Sequence, residues 1–243
     1  MRRTYAYIIS IIFMISCFPQ LSSGQDTIDF PLKIRLGIEA VGPVSYYTDR
    51  NILNTEVYLS ADLNEKRSVI LSGGYLDYKY SQYNYEYSNK GFFVKAGMDF
   101  NLIKPLKSQG KYWAGIGFRY GISHFTSQVP GFSVDNYWGS ISGSIPAQTS
   151  WGHYLEASPG IRTEIFRSLS LGCSVNIRML IHTGLGKDLR PIYFPGYGPG
   201  ANKTSTSFSY FLIWNIPFKK IRVIQQKAPP EESDDTEDNT TNR

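Results

Sequence analysis

Three histidines occur in the 243 residues, and two of them, His124 and His153, flank the long stretch 126–149 with Ser123, Ser127 and Ser150 close by. A histidine within hydrogen-bond reach of a serine hydroxyl can take its proton and make it a nucleophile, so this grouping points to acyl-transfer chemistry. The competing reading is two polar residues at a rim. No G-x-S-x-G elbow accompanies the serines and no carboxylate stands ready to orient either imidazole. Catalytic residues are therefore expected to be none, with His124 and His153 the candidates if the chain does chemistry. A metal site joining them to His182 is not expected, because strand alternation would turn His182 to the other face. The Gly-Leu-Gly at 184–186 has no helix after it and is not a phosphate loop. No cofactor is implied.

The elements around these residues follow a period of two. Leu169, Leu171, Cys173, Val175, Ile177, Met179 and Ile181 alternate with Ser170, Gly172, Ser174, Asn176, Arg178 and His182, as in a strand with one apolar and one polar face. The pattern recurs at 32–40, 53–62, 92–101, 112–123, 151–162 and 208–218. The segment 69–80 is apolar in both registers; placing Ile70, Gly74, Leu76 and Tyr78 outward turns Asp77 and Lys79 inward. Eight strands result. Their connections alternate between longer ones (43–52, 81–90, 126–149, 184–203) and shorter ones near 64–67, 104–111 and 166–168, the arrangement of an outer-membrane barrel with short periplasmic turns and long external loops. The expected fold class is thus all-β, an eight-stranded antiparallel transmembrane β-barrel.

Which face is inside decides between this barrel and a soluble lipocalin-like carrier. Gly37, Gly97, Gly115, Gly117, Gly121, Gly152, Gly160 and Gly172 all fall on the polar face. Strand glycines mark places where something approaches the backbone closely, as inside a narrow eight-strand barrel that side chains just fill. The polar face is the inside. Aromatic residues gather near strand ends, Tyr46, Tyr78, Phe92, Tyr120, Trp151 and Phe208 toward the loops, with Phe100, Tyr112, Trp214 and Phe218 toward the turns, matching two interfacial girdles. The expected lumen ion pairs draw on Arg35, Glu39, Glu56, Asp77, Lys95, Asp99, Arg119, Glu156, Arg162 and Arg178, with Lys33, Lys79, Asp62 and Glu164 also inward. Such charges must pair, since an uncompensated buried one costs several kcal/mol. The reading is a plugged barrel.

Arg2 and Arg3, the apolar run 6–18 and the small residues Ser22, Ser23 and Gly24 read as a secretory signal peptide over 1–24, cleaved near Gly24 and Gln25. A lipidated Cys17 is the rival reading. The barrel is expected over 25–224, with a disordered acidic tail at 225–243; an even strand number puts both termini in the periplasm. Cleavage leaves Cys173 without an intramolecular disulfide partner. The net charge of +5 is scattered and not run together, so nucleic acid is not a partner. The expected partners are outer-membrane lipid, the barrel-insertion machinery during biogenesis, and an extracellular partner reached through loops 126–149 and 184–203, where the Tyr-rich 83–87 and the Gly/Pro/aromatic 193–200 offer contacts or fold over the barrel mouth.

The stretches GIEAVGPVSYY (37–47), EVYLSADLNEKRSVILSGGYLDYKY (56–80), GFFVKAGMDFNLI (91–103) and YWAGIGFRYGISHF (112–125) resemble an uncharacterised family of small outer-membrane β-barrel proteins from Bacteroidota. More distantly, residues 30–218 resemble the eight-stranded barrel of the outer-membrane protein A superfamily. Phe218 is similar to the C-terminal aromatic signal of such barrels, although Pro217 precedes it and Lys219 extends the chain. The resemblance implies no residue-level activity. The expected function is a structural or surface-interaction role without catalysis. Its alternatives are an outer-leaflet lipid-modifying enzyme of the lipid A deacylase or acyltransferase type and a secreted lipocalin-like small-ligand carrier.

Overall fold

The computed structural model describes residues 26–184, 191–200 and 202–225; the signal peptide expected at 1–24 and nearly all of the acidic tail lie outside them. By its contacts Asp29–Arg222 forms one compact unit. This unit is the barrel.

In chain order the elements are β1 (Asp26–Glu39), α1 (Val41–Thr48), β2 (Ile52–Asp62), β3 (Arg67–Gln82), β4 (Tyr85–Asn101), α2 (Pro105–Ser108), β5 (Tyr112–Asn136), β6 (Gly139–Phe166), β7 (Leu169–His182), the two-residue strands β8 (Tyr193–Phe194) and β9 (Gly198–Pro199), and β10 (Thr204–Gln225). Seven of the long strands follow one another around the ring and β10 closes it between β7 and β1, all antiparallel. This is an eight-stranded antiparallel barrel of the transmembrane type.

The outer wall is apolar because the sequence alternates. Leu36, Ile38, Val57, Leu59, Val94, Leu155, Leu171, Ile177, Met179, Leu212 and Ile216 are all exposed on it. Phe92, Tyr120, Trp151 and Phe208 ring its upper edge, the one bearing the long hairpins; Tyr112, Trp214 and Phe218 ring the lower. Phe208 and Phe218 lie on the same face of β10, ten residues apart. At about 3.3 Å per residue and a tilt of about 40°, that separation spans roughly 25 Å of height, the apolar band of an outer-membrane barrel.

Three expectations about the elements are corrected. The expected loop 43–52 is mostly α1, whose first amides, Val41 and Gly42, donate to the Glu39 carboxylate at 2.9 and 2.7 Å. The expected loop 126–149 is not a loop: β5 and β6 stay paired through Asn136 and Gly139, a hairpin standing above the wall. In β3 the register is the reverse of the expected one. Ile70 and Leu76 are buried in the lumen, while Val69, Leu71 and Tyr75 face out, so Asp77 and Lys79 are outward and Tyr78 is inward, stacked on Tyr193. The alternation failed there because the lumen holds an apolar layer, Tyr58 with Ile70 and Ile213, that makes both faces of β3 look alike in sequence.

Candidate functional site: the charged lumen and the histidine rim

The lumen is built from glycine and large side chains in register. Gly37 sits opposite Tyr58, Gly74 opposite Phe93 and Gly121 opposite Tyr154, and a Cβ at each glycine would run into the facing ring. The rings can fold across the wall only because their neighbours have no side chain.

Charges fill the space between the rings. Glu156, on β6, is the hub. Its two oxygens accept from Arg178 Nε on β7 at 2.7 Å, Arg119 Nη1 on β5 at 2.9 Å and Lys95 Nζ on β4 at 3.2 Å. Lys95 also reaches Glu56 across the lumen at 2.7 Å, and Arg119 reaches Asp99 at 3.2 Å. Lys95 and Glu156 are 2% exposed, so these contacts act in a low dielectric where unpaired charge is costly. Nearer the lower end, Arg35 pairs with Asp62, which also accepts from Ser68 Oγ at 2.8 Å, and Lys33 pairs with Glu164. An uncharged network runs beside the hub: Ser158 donates to Asn176 Oδ1 at 2.6 Å, and Asn176 Nδ2 donates to Ser209 at 2.8 Å.

Three of the residues expected to form lumen ion pairs do otherwise. Asp77 faces out and meets Lys90 at 3.6 Å at the rim. Glu39 points in but holds α1 by its amides, a partner invisible without knowing the helix. Arg162 has no carboxylate within 4 Å among the described residues; its guanidinium lies over the Trp113 ring at 4.9 Å, a cation–π contact that sequence spacing does not reveal. Since the misplaced pair in β3, Asp77 and Lys79, is one acid and one base, the lumen still balances.

Residues 191–200 pack over part of the upper end of the lumen. Phe194 and Tyr197 are fully buried and stacked at 4.9 Å, and they pack against Phe125 and Tyr154. Lumen donors tie down the backbone of this segment: Ser123 Oγ to the Pro195 carbonyl at 2.6 Å, Arg178 Nη1 to that of Tyr197 at 3.1 Å, and Asn89 Nδ2 to that of Tyr193 at 2.5 Å. Gly196, at φ +71°, packs where a Cβ would strike Phe93 and the Tyr154 hydroxyl. The aromatic residues expected to offer contacts from 184–203 are thus turned inward; 185–190 and 201 lie outside the described residues.

The histidines lie on the other side of the wall. His124 is wedged between Trp151 and Phe92, at ring separations of 4.6 and 5.2 Å. His153 Nδ1 is hydrogen bonded to the Tyr120 hydroxyl at 2.9 Å. Ser123, Ser127 and Ser150 are buried in the lumen, so each neighbouring histidine and serine is separated by the thickness of the sheet. His182 is outward, opposite His153, because the register shifts between His153 and Tyr154; the inward placement expected for it does not hold. Among the described residues no group of three or more His, Cys, Asp or Glu side chains could hold a metal ion.

The chain belongs to the family described as a domain of unknown function, DUF6048, whose model matches residues 4–221. No curated protein matches it. Among solved structures it is similar to Ail, the attachment invasion locus protein of Yersinia pestis, at 12% identity and a TM-score of 0.38, covering 80% of this chain and 98% of that one. Neisserial surface protein A is similar at 9% identity and a TM-score of 0.36, covering 79% and 99%. CarO of Acinetobacter baumannii is similar at 13% identity and a TM-score of 0.35, covering 78% and 98%.

Proposed function

We propose that this protein is an outer-membrane barrel whose lumen conducts nothing and whose wall catalyses nothing, and which acts as a rigid stand for the structure above its upper rim. The observation that carries the reading is the Glu156 hub beneath the buried Phe194 and Tyr197. Paired charges occupy the middle of the barrel and an aromatic stack packs across part of its upper end, which supports a lumen that resists ion flow. The apolar wall between two aromatic girdles supports residence in a bilayer. Separation of every rim histidine from every neighbouring serine supports a surface role over lipid modification, and an apolar outside with a charged inside is the reverse of what a soluble carrier needs. On this reading the chain is exported by the segment 1–24, inserted by the barrel machinery, and holds both termini in the periplasm with the hairpins outside.

Purified protein reconstituted in planar bilayers tests this. The expected result is co-flotation with lipid, a heat-dependent shift in gel mobility as the closed hydrogen-bonded wall resists detergent until heated, and no steady channel. Stable nanosiemens-scale openings would sink the sealed lumen, and recovery in the soluble fraction would sink the membrane assignment.

A further inference from the structure

Above the rim, the edge of β6 that faces away from β5 has no strand partner among the described residues. β7 ends at His182, opposite His153, so among the described residues the backbone of 139–145 pairs only with β5. Residues 139–144 are all exposed. Natural sheet edges are blunted by charge, proline or a bulge; the run Gly-Ser-Ile-Ser-Gly-Ser-Ile at 139–145 contains no charge, and proline comes only at 146. The edge is also armed. Ser133 donates its amide to the Asn84 carbonyl on the β4 side, so Ser142, directly opposite Ser133, points its own amide and carbonyl away from β5, where among the described residues no strand lies.

We propose that this edge pairs with the same edge of a second copy of the chain held in an opposing membrane. The proposal rests on the outer-membrane reading above. An antiparallel pair centred on Ser142 sets Ser142 against its own copy, Ser140 against Ser144, Ile141 against Gly143 and Gly139 against Ile145. Every bulky residue then faces a glycine on one side of the joint sheet, every serine faces a serine on the other, and no like charges meet. Six edge hydrogen bonds form, from Ser140, Ser142 and Ser144 of each copy. The two-fold axis of such a pair is perpendicular to the sheet and so lies parallel to the membrane plane. Two copies in one membrane are instead related about the membrane normal, and with strands tilted about 40° their edges cross rather than run antiparallel. The pairing therefore bridges two membranes, by a hairpin reaching about 35 Å along the strand from Ser150 to Gly139.

The test uses two vesicle populations with different fluorophores, each reconstituted with the full chain and checked by flotation and by heat-dependent gel mobility. The expected result is protein-dependent tethering of the two populations that a synthetic peptide of residues 139–145 competes away. Ser142→Pro removes an amide that the β5 ladder does not use, and Ser142→Lys sets two like charges at the centre of the pair; both should fall to the level of protein-free vesicles while keeping the folded gel band, and Ser142→Ala should tether like the parent. Absence of tethering by vesicles that carry inserted parent protein, or tethering by Ser142→Pro equal to the parent, would overturn the pairing. Failure to float with lipid would overturn the membrane reading instead.

Discussion

β5 passes through two environments, and its halves obey different rules. From Tyr112 to Phe125 it separates an apolar outside from a lumen of glycine, arginine and serine, and the residues alternate strictly. From Pro130 onward the alternation of burial is lost. A small cluster around Tyr87 and Val129 packs one face, Val134 and Ile141 are exposed above it, and bulges between Ser127 and Phe132 break the period. The lower half is held by the charges and rings it packs inside the barrel; the upper half is held by its ladder and the small cluster around Tyr87 and Val129. Stability is therefore expected to reside in the lumen and exposure-tolerant variation in the hairpin.

Glu156→Ala should sharpen that contrast most. It strips a buried acceptor from Lys95, Arg119 and Arg178 together, and breaking a buried pair costs about 3–5 kcal/mol. The temperature at which the compact gel band is lost should drop steeply; an unchanged value would show that the hub is not what holds the lumen. Phe194→Ala is next, at about 3 kcal/mol for a fully buried ring, with residues 191–200 becoming open to proteolysis while the eight strands stay protected. Equal protection of that segment in parent and variant would mean that the ring stack does not hold it.

His153→Ala removes one neutral hydrogen bond at the rim, worth about 1 kcal/mol, and should leave the acyl-chain count of the cell's lipid A as it was; a changed count would bring the enzyme reading forward. Smallest of all, Val134→Ser in the hairpin should move stability by no more than about 0.5 kcal/mol. A shift as large as that of Phe194→Ala would erase the distinction between the two halves of β5.

The same contrast explains what could be read from the residues. Seven of the eight barrel strands announce themselves, because lipid on one side and paired charge on the other impose opposite demands on alternate positions. Glycines on the polar face give the inside-out assignment, and their facing rings, Tyr58, Phe93 and Tyr154, supply the physical reason. β3 misleads because Ile70 and Leu76 are apolar for lumen packing, not for lipid. The hairpin above the rim is illegible because water lies around it and no period survives. The ion pairs were legible as a set and not as partners: which acid meets Arg35, or that Glu39 is spent on the amides of α1, depends on register and on a helix whose Val-Gly-Pro start reads as a turn.

The hub residues Lys95, Arg119, Glu156 and Arg178 lie on four consecutive strands, β4 to β7, whereas the Lys33 to Glu164 contact joins β1 to β6, strands that are not neighbours in the ring. An open sheet of β4 to β7 can neutralise most of its charge before the barrel exists. Among the described residues, the ion pairs that must wait for β10 to dock and close the seam are Lys33 with Glu164 and the exposed pair Arg222 with Asp29. On the membrane reading proposed above, pairing in that order would lower the electrostatic barrier to entering a bilayer and leave the buried Lys33 to Glu164 contact as a latch for the closing step.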